Sequence, residues 1–151
     1  MPHSNYSESQ KTALRSWLKL LGTSNRMRKR LQARLMENHG ISLSRFDILA
    51  NLYRAPLGGV RLGDLSKRLM VTNGNVTQVM APLVKDGLVL RQTSKSDARV
   101  STVQLSAKGL RVFEKMAADH AAWVEELFHG LAETDQQTLA RILGLVNKED
   151  D

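Results

Sequence analysis

Hydrophobic positions first recur at helical spacing. Leu14, Trp17, Leu18 and Leu21, then Met27, Leu31 and Leu35, mark one long helix over about residues 11–37. His39 and Gly40 end it, glycine being favoured just past a helix C-terminus and His39 serving as its cap. Residues 1–10 are polar and are expected to be a frayed, flexible N-terminus. Ser42 or Ser44 caps a second helix whose Phe46, Leu49, Leu52 and Tyr53 face inward; Pro56 and the pair Gly58 and Gly59 stop it. A short third helix carries Leu62, Leu65 and Leu69. A fourth opens at Thr72, its N-cap, and runs through Val76, Val79, Met80, Leu83 and Val84 to a stop at Asp86 and Gly87.

The period then changes. LVLRQT (88–93) and VSTVQL (100–105) are alternating or β-branched, with the polar SKSDAR between them, which predicts a hairpin with a charged tip. From Ser106 the helical period returns through Leu110, Phe113, Ala117, His120, Ala121, Val124 and Phe128. Thr134 with Gln137 predicts a capping box for a last helix bearing Leu139, Ile142, Leu143 and Val146. The fold class expected is mainly α with a small β-hairpin wing. A winged helix-turn-helix over 41–105 follows an N-terminal helix over 11–40 and precedes C-terminal helices over 106–151. The terminal helices carry wide apolar stripes with no core of their own, so they are expected to intertwine with a second copy as a homodimer.

The fourth helix has an unusual start. Thr72, Asn73, Gly74 and Asn75 are small and polar, and Thr77 and Gln78 follow. In a helix-turn-helix the second helix enters the major groove with its N-terminal residues at base edges. Bulky side chains there would hold the backbone away. Asn and Gln pair with adenine N6 and N7, Thr bonds phosphates or bases, and Gly74 lets the backbone come close. Double-stranded DNA is therefore the partner expected. Pro82 removes a backbone bond and clashes with the preceding turn, at about 3 kcal/mol in an ordinary helix. A kink that re-aims the first turn is one expectation; tolerance by tertiary packing is the other. On the wing tip, Lys95 and Arg99 are the expected DNA contacts, with Arg99 at the minor groove and Asp97 orienting it.

Charge sharpens the picture. The net charge is +7, and the distribution is uneven. Eight bases and no acid lie between Lys11 and Arg34; seven bases (Arg61, Lys67, Arg68, Lys85, Arg91, Lys95, Arg99) and three acids lie between Arg61 and Arg99; acids dominate from Val112 onward. The helix-turn-helix excess fits an anionic duplex. The first-helix excess lies outside that unit and needs its own explanation. Cysteine is absent, which excludes disulfides, thiol sensing and thiolate metal sites. The four histidines include no i, i+4 metal pair, so no metal or cofactor is expected, and His120 on its apolar stripe reads as an interface histidine. No nucleophile motif, phosphate loop or acid–base constellation suggests an enzyme. No apolar run reaches the roughly 20 residues of a membrane span, and the N-terminus has no apolar signal core, so a cytoplasmic protein with no membrane partner is expected.

The segment DGLVLRQTSKSDARVSTVQLSAKG resembles the signature of MarR-type transcriptional regulators, with Asp97, Arg99, Leu105, Ser106 and Gly109 at the matching positions. The likeness covers about residues 11–147. It implies a homodimeric winged helix-turn-helix protein on a pseudo-palindromic operator, often a repressor. Many such proteins release DNA when a small anionic, often phenolic, ligand binds between the DNA-binding and dimerisation regions. LSRFDILANLYRA followed by GDLSKRLMVTNGNVTQV is similar to the branch controlling breakdown of hydroxycinnamates and other aromatic acids. Some of that branch respond to aryl-coenzyme A thioesters such as p-coumaroyl- or feruloyl-coenzyme A. The basic first helix fits such an effector: Arg15, Lys19, Arg26, Arg28, Lys29 and Arg30 for its phosphates, and Trp17, Leu21, Phe46 and Leu49 for its aryl tail. A solvated basic face, or one that attracts DNA at long range, is the plainer reading of those charges. The alternatives are a regulator of stress or efflux genes answering to a free phenolic anion and, more remotely, a helical interaction module without DNA binding.

Overall fold

The first helix, α1 (Glu8–His39), starts earlier than its apolar pattern because its cap is strong. Ser7 Oγ accepts from Gln10 N–H at 3.1 Å, and Gln10 Oε1 accepts from Ser7 N–H at 2.8 Å. This reciprocal pair satisfies two orphan donors, so residues 8–10 are helical where fraying was expected. The computed structural model describes residues 5–55, 58–69 and 73–146, with 73 and 74 described by backbone alone. At its other end α1 closes on Gly40, whose φ of 63° is the left-handed conformation that glycine adopts without strain. His39 does not cap the helix; its Nε2 lies 2.8 Å from Asp119 Oδ2 and ties α1 to a distant helix.

Next come α2 (Leu43–Arg54), β1 (Val60–Arg61), α3 (Leu62–Arg68) and α4 (Asn73–Lys85). Ser42, not Ser44, caps α2, accepting from Arg45 N–H at 3.2 Å. Tyr53, expected to face inward, is 49% exposed, with its ring 5.0 Å from that of Phe113. Thr72 and Pro56 lie outside the described residues. Pro82 does not break α4, which is continuous to Lys85. Leu88 N–H donates to Leu83 O at 3.0 Å as the chain turns at Gly87.

Strands β2 (Val89–Thr93) and β3 (Ser101–Leu105) form the expected hairpin. The sheet has a third member, order β1-β3-β2, all antiparallel, with Val60 opposite Val103. A strand of two residues is too short to show alternation, which is why periodicity does not reveal β1. Helices α5 (Ala107–Leu127) and α6 (Glu133–Val146) complete the chain. The capping box expected at Thr134 is not formed. Helix α6 starts at Glu133, so Thr134 already lies inside it; Asp135 and Gln136 N–H both donate to Ala132 O at 3.0 Å, and the Gln136 side chain turns back to Leu131 O.

One core joins α2, α3, α4 and the sheet to the C-terminal end of α1 and the first half of α5. Leu35, Leu49, Leu65 and Val103 are wholly buried. Burying a leucine contributes roughly 1.5–3 kcal/mol, so this cluster holds the wing and α4 in fixed relation. Ser106 and Gly109 seal the sheet to α5. Ser106 Oγ donates to Gly87 O and accepts from Gly109 N–H at 2.9 Å. A Cβ on Gly109 would run into the Leu88 carbonyl, so only glycine permits this approach. By contrast, α6 buries no residue, and Leu14, Trp17 and Leu18 on α1 stand in solvent.

Candidate nucleic-acid interface

The start of α4 is amphipathic in a way that suits contact with a groove. Val76 and Met80 are 1% exposed and pin the helix to the core, while Asn75 before them and Thr77 and Gln78 between them are exposed. Asn73 and Gly74 open the first turn of the helix, and the Asn73 side chain lies outside the described residues.

The wing tip is braced from within. Ser94 N–H donates to Val100 O at 2.8 Å, and Ser94 Oγ takes the Ser96 and Asp97 amides. Asp97 Oδ1 accepts two bonds from one residue, the Arg99 backbone N–H at 3.0 Å and Arg99 Nε at 3.2 Å. The backbone donor and then the guanidinium hold the Asp97 carboxyl below its ordinary range, so it stays charged. The Arg99 side chain is 91% exposed despite this tether. A long cation is thus aimed outward by a carboxylate that shares its turn. Lys95 is exposed on the same tip.

Between wing and α4 lies an open cleft of about 360 Å³, lined by Thr77, Arg91, Arg99, Arg61 and Asp64 among others. Three arginines against one acid make it cationic. Arg61 and Arg91 were visible in the charge count but were not among the expected site residues. Arg91 lies in a strand read as apolar alternation, and Arg61 in the strand that periodicity does not show.

The candidate ligand residues do not form one site within the chain. Arg15 to Arg30 spans 15 residues of helix, roughly 22 Å. Trp17 and Lys19 line an apolar cavity of about 710 Å³ with Phe128 and α6 residues. Arg30 lines another with Arg34 and Trp123. Arg28 lines a third, about 210 Å³, together with Asp47, Asn75 and Gln78. Arg15, Leu21, Arg26 and Lys29 are exposed and line none of these. Phe46 and Leu49 are core residues, 4% and 0% exposed, rather than cavity walls.

Beside the third cavity sits a titratable pair. The His120 ring lies 4.4 Å from that of Phe46, and partial burial lowers its pKa below the usual imidazole value, with Asp47 opposing. Burial raises the Asp47 pKa from its ordinary value, against the attraction of Arg28, His120 and Arg54. On the far side of α1, Arg34 lies over Trp123 at 5.7 Å and reaches Glu126 at 2.7 Å, adding to the α1–α5 tie.

The MarR family model matches residues 41–101 of this chain. A MarR family transcriptional regulator from Silicibacter pomeroyi is 31% identical, with 93% of this chain and 97% of that one aligned at a TM-score of 0.77. The chain belongs to the MarR family of DNA-binding transcriptional regulators. The HTH-type transcriptional regulator YkoM of Bacillus subtilis is 30% identical over 71% of this chain and 68% of its own length. A MarR family regulator from Streptomyces coelicolor, solved in complex with DNA, shares the fold at a TM-score of 0.79 and 22% identity, over 97% of this chain and 91% of that one. The matched span of the MarR model holds α4, the cleft, β2 and the wing tip. Among the described residues, no helix is long and apolar enough to cross a membrane.

Proposed function

We propose that this MarR-family chain acts as a homodimeric repressor of aromatic-acid, hydroxycinnamate-type catabolic genes. It holds a pseudo-palindromic operator through α4 and the wing and releases it on binding an aryl-coenzyme A thioester or a phenolic acid. The observation that carries the DNA part is that the exposed Thr77 and the Asp97-braced Arg99 line one cationic cleft, with Asn75 and Gln78 exposed beside Thr77 on α4. Asn73, Gly74, Asn75, Thr77 and Gln78, with Thr72 before them, meet the major groove; Arg99 and Lys95 meet the minor groove.

The dimer part is supported by the apolar cavity between α1 and α6. Of its lining, Trp17, Leu20, Ile142 and Val146 are exposed to solvent in one copy, and Met27 and Leu139 are half-buried. A second copy's terminal helices would cover that surface and place two α4 helices on successive turns of one DNA face, roughly 34–36 Å apart.

The effector part rests on α1. Its bases favour a polyphosphate group, and the Arg28 cavity touches Asn75 and Gln78 on α4, so a ligand there changes the DNA-facing helix directly. The test is a titration of the protein–DNA complex, on the DNA upstream of its own gene, at fixed salt. One series uses p-coumaroyl- or feruloyl-coenzyme A and the other the free acids. Release by the thioester alone supports the reading. Release by the free acid alone keeps the regulator and removes the thioester. A complex indifferent to both removes this effector class.

A further inference from the structure

We infer that Arg91 is a DNA backbone clamp, seated where the phosphate chain must pass between the recognition helix and the wing. The inference rests on the DNA reading above and adds a contact of a different kind to it. Register gives the first argument. Val60, Val103 and Arg91 are cross-strand partners, so they project from the same face of the sheet, as does Val89 two residues earlier. Val60, Val89 and Val103 are buried there, at 6%, 1% and 0% exposure. Arg91 occupies an inward position that the pattern reserves for an apolar side chain, yet it is exposed. The core has ended at that level of the sheet, and the guanidinium stands over the cleft instead.

Its surroundings give the second argument. Arg91 Nη2 donates to Ser101 Oγ at 3.3 Å, and Ser101 is 8% exposed on the neighbouring strand. That bond sets the direction of the side chain. Among the described residues it is the one hydrogen bond Arg91 makes, so four of its five N–H donors remain for an anion. Asp64 is the single acid on the cleft wall, against Arg91, Arg99 and Arg61. Arg61 sits opposite Thr102, on the other face of the sheet, and contributes to the rim.

Groove geometry gives the third. With α4 in the major groove and Arg99 in the adjacent minor groove, the sugar–phosphate chain dividing the two grooves has to cross the cleft. Arg91 and the exposed Thr77 face each other across it. A planar guanidinium suits bidentate contact with a phosphate, and such a contact carries no sequence information. Arg91 therefore sets affinity and register, whereas Arg99 contributes to discrimination.

The test compares Arg91→Gln, Arg91→Lys and the unaltered protein on two duplexes, the DNA upstream of its own gene and one of scrambled sequence. Binding is followed as salt is raised, with the unfolding midpoint of each variant as a check on folding. Arg91→Gln is expected to lose affinity by a similar factor on both duplexes. With one Arg91 in each of two protomers on a site, its log–log salt slope should fall by about 1.8, or about 0.9 for each phosphate. Arg91→Lys, which keeps the charge, should keep the slope. Inorganic phosphate at the same ionic strength as chloride should compete no better than chloride; displacement of DNA by millimolar phosphate would mean a seat for a free anion and would overturn the inference. So would unchanged affinity and slope in Arg91→Gln, or a loss confined to the upstream duplex. Failure of the unaltered protein to bind either duplex would instead overturn the DNA reading itself.

Discussion

Asp97 and Arg99 share one carboxylate oxygen: Asp97 Oδ1 accepts both the Arg99 backbone N–H, at 3.0 Å, and Arg99 Nε, at 3.2 Å. The tether fixes the wing tip and gives the arginine a direction while its far end stays in solvent. Arg99→Ala is expected to weaken operator binding roughly tenfold to a hundredfold, as for loss of an arginine at base edges. Asp97→Asn leaves Arg99 in place but removes the charge that orients it. A smaller loss is expected, seen as a lower ratio of operator to scrambled-duplex affinity in the same titration.

Gly109 is expected to be intolerant of any side chain, because its Cβ would strike the Leu88 carbonyl rather than a flexible side-chain end. Gly109→Ala forces α5 away from the start of β2. Overpacking of this kind costs about 1–3 kcal/mol. A thermal scan checks it, with a midpoint several degrees lower expected, whereas alanine at the exposed Gly130, with nothing within 4 Å, should leave the midpoint close to that of the native chain.

The core and the terminal helices should respond in opposite ways. Leu49 is wholly buried, and Leu49→Ala is expected to cost about 2–5 kcal/mol of stability in urea unfolding. Ile142 is 46% exposed on α6. Ile142→Glu is expected to leave the far-ultraviolet spectrum unchanged and to shift sedimentation from dimer toward monomer. A monomeric native protein would remove the dimer.

His120 makes stability depend on pH, with a definite sign. Its pKa is lowered in the folded chain by burial, so the native state binds this proton less well than the unfolded chain does. Stability is full above the unfolded value of about 6.5 and falls as pH drops from there toward the lowered folded value. Asp47 acts in the other direction and lower down. Its raised pKa means that ionisation costs stability as pH climbs from 3.8 through the folded value. The urea midpoint should therefore be lower at pH 5.5 than at pH 7.5, and His120→Gln should lessen that difference. An unchanged difference would show that other groups set it.

Much of the helix order was legible because long stripes such as Leu110 to Phe128 state their period plainly. Ends were less so. Ser7 and Gln10 form a capping box in a stretch with no apolar residue to announce a helix, while Thr134 and Gln137 have the spelling of one without the geometry, since α6 starts at Glu133 and Thr134 is already helical. The wing was readable, because Asp97 and Arg99 are neighbours in sequence and their contact is local. The cleft was not. Arg91, Ser101 and Thr77 come from three elements; the strand register sets Arg91 beside Ser101, and the packing of α4 brings Thr77 to them. The same reason scatters the basic residues of α1 over several cavities: a charge count along a helix does not record which side each residue faces.

The most direct measurement of the central claim is the affinity of the intact protein for the DNA upstream of its own gene across a salt series. We expect tight binding at low salt, two protomers per site, and a log–log slope of about −0.9 for each phosphate contacted. No binding, or an affinity indifferent to salt, would contradict the reading of α4, the cleft and the wing as a DNA interface.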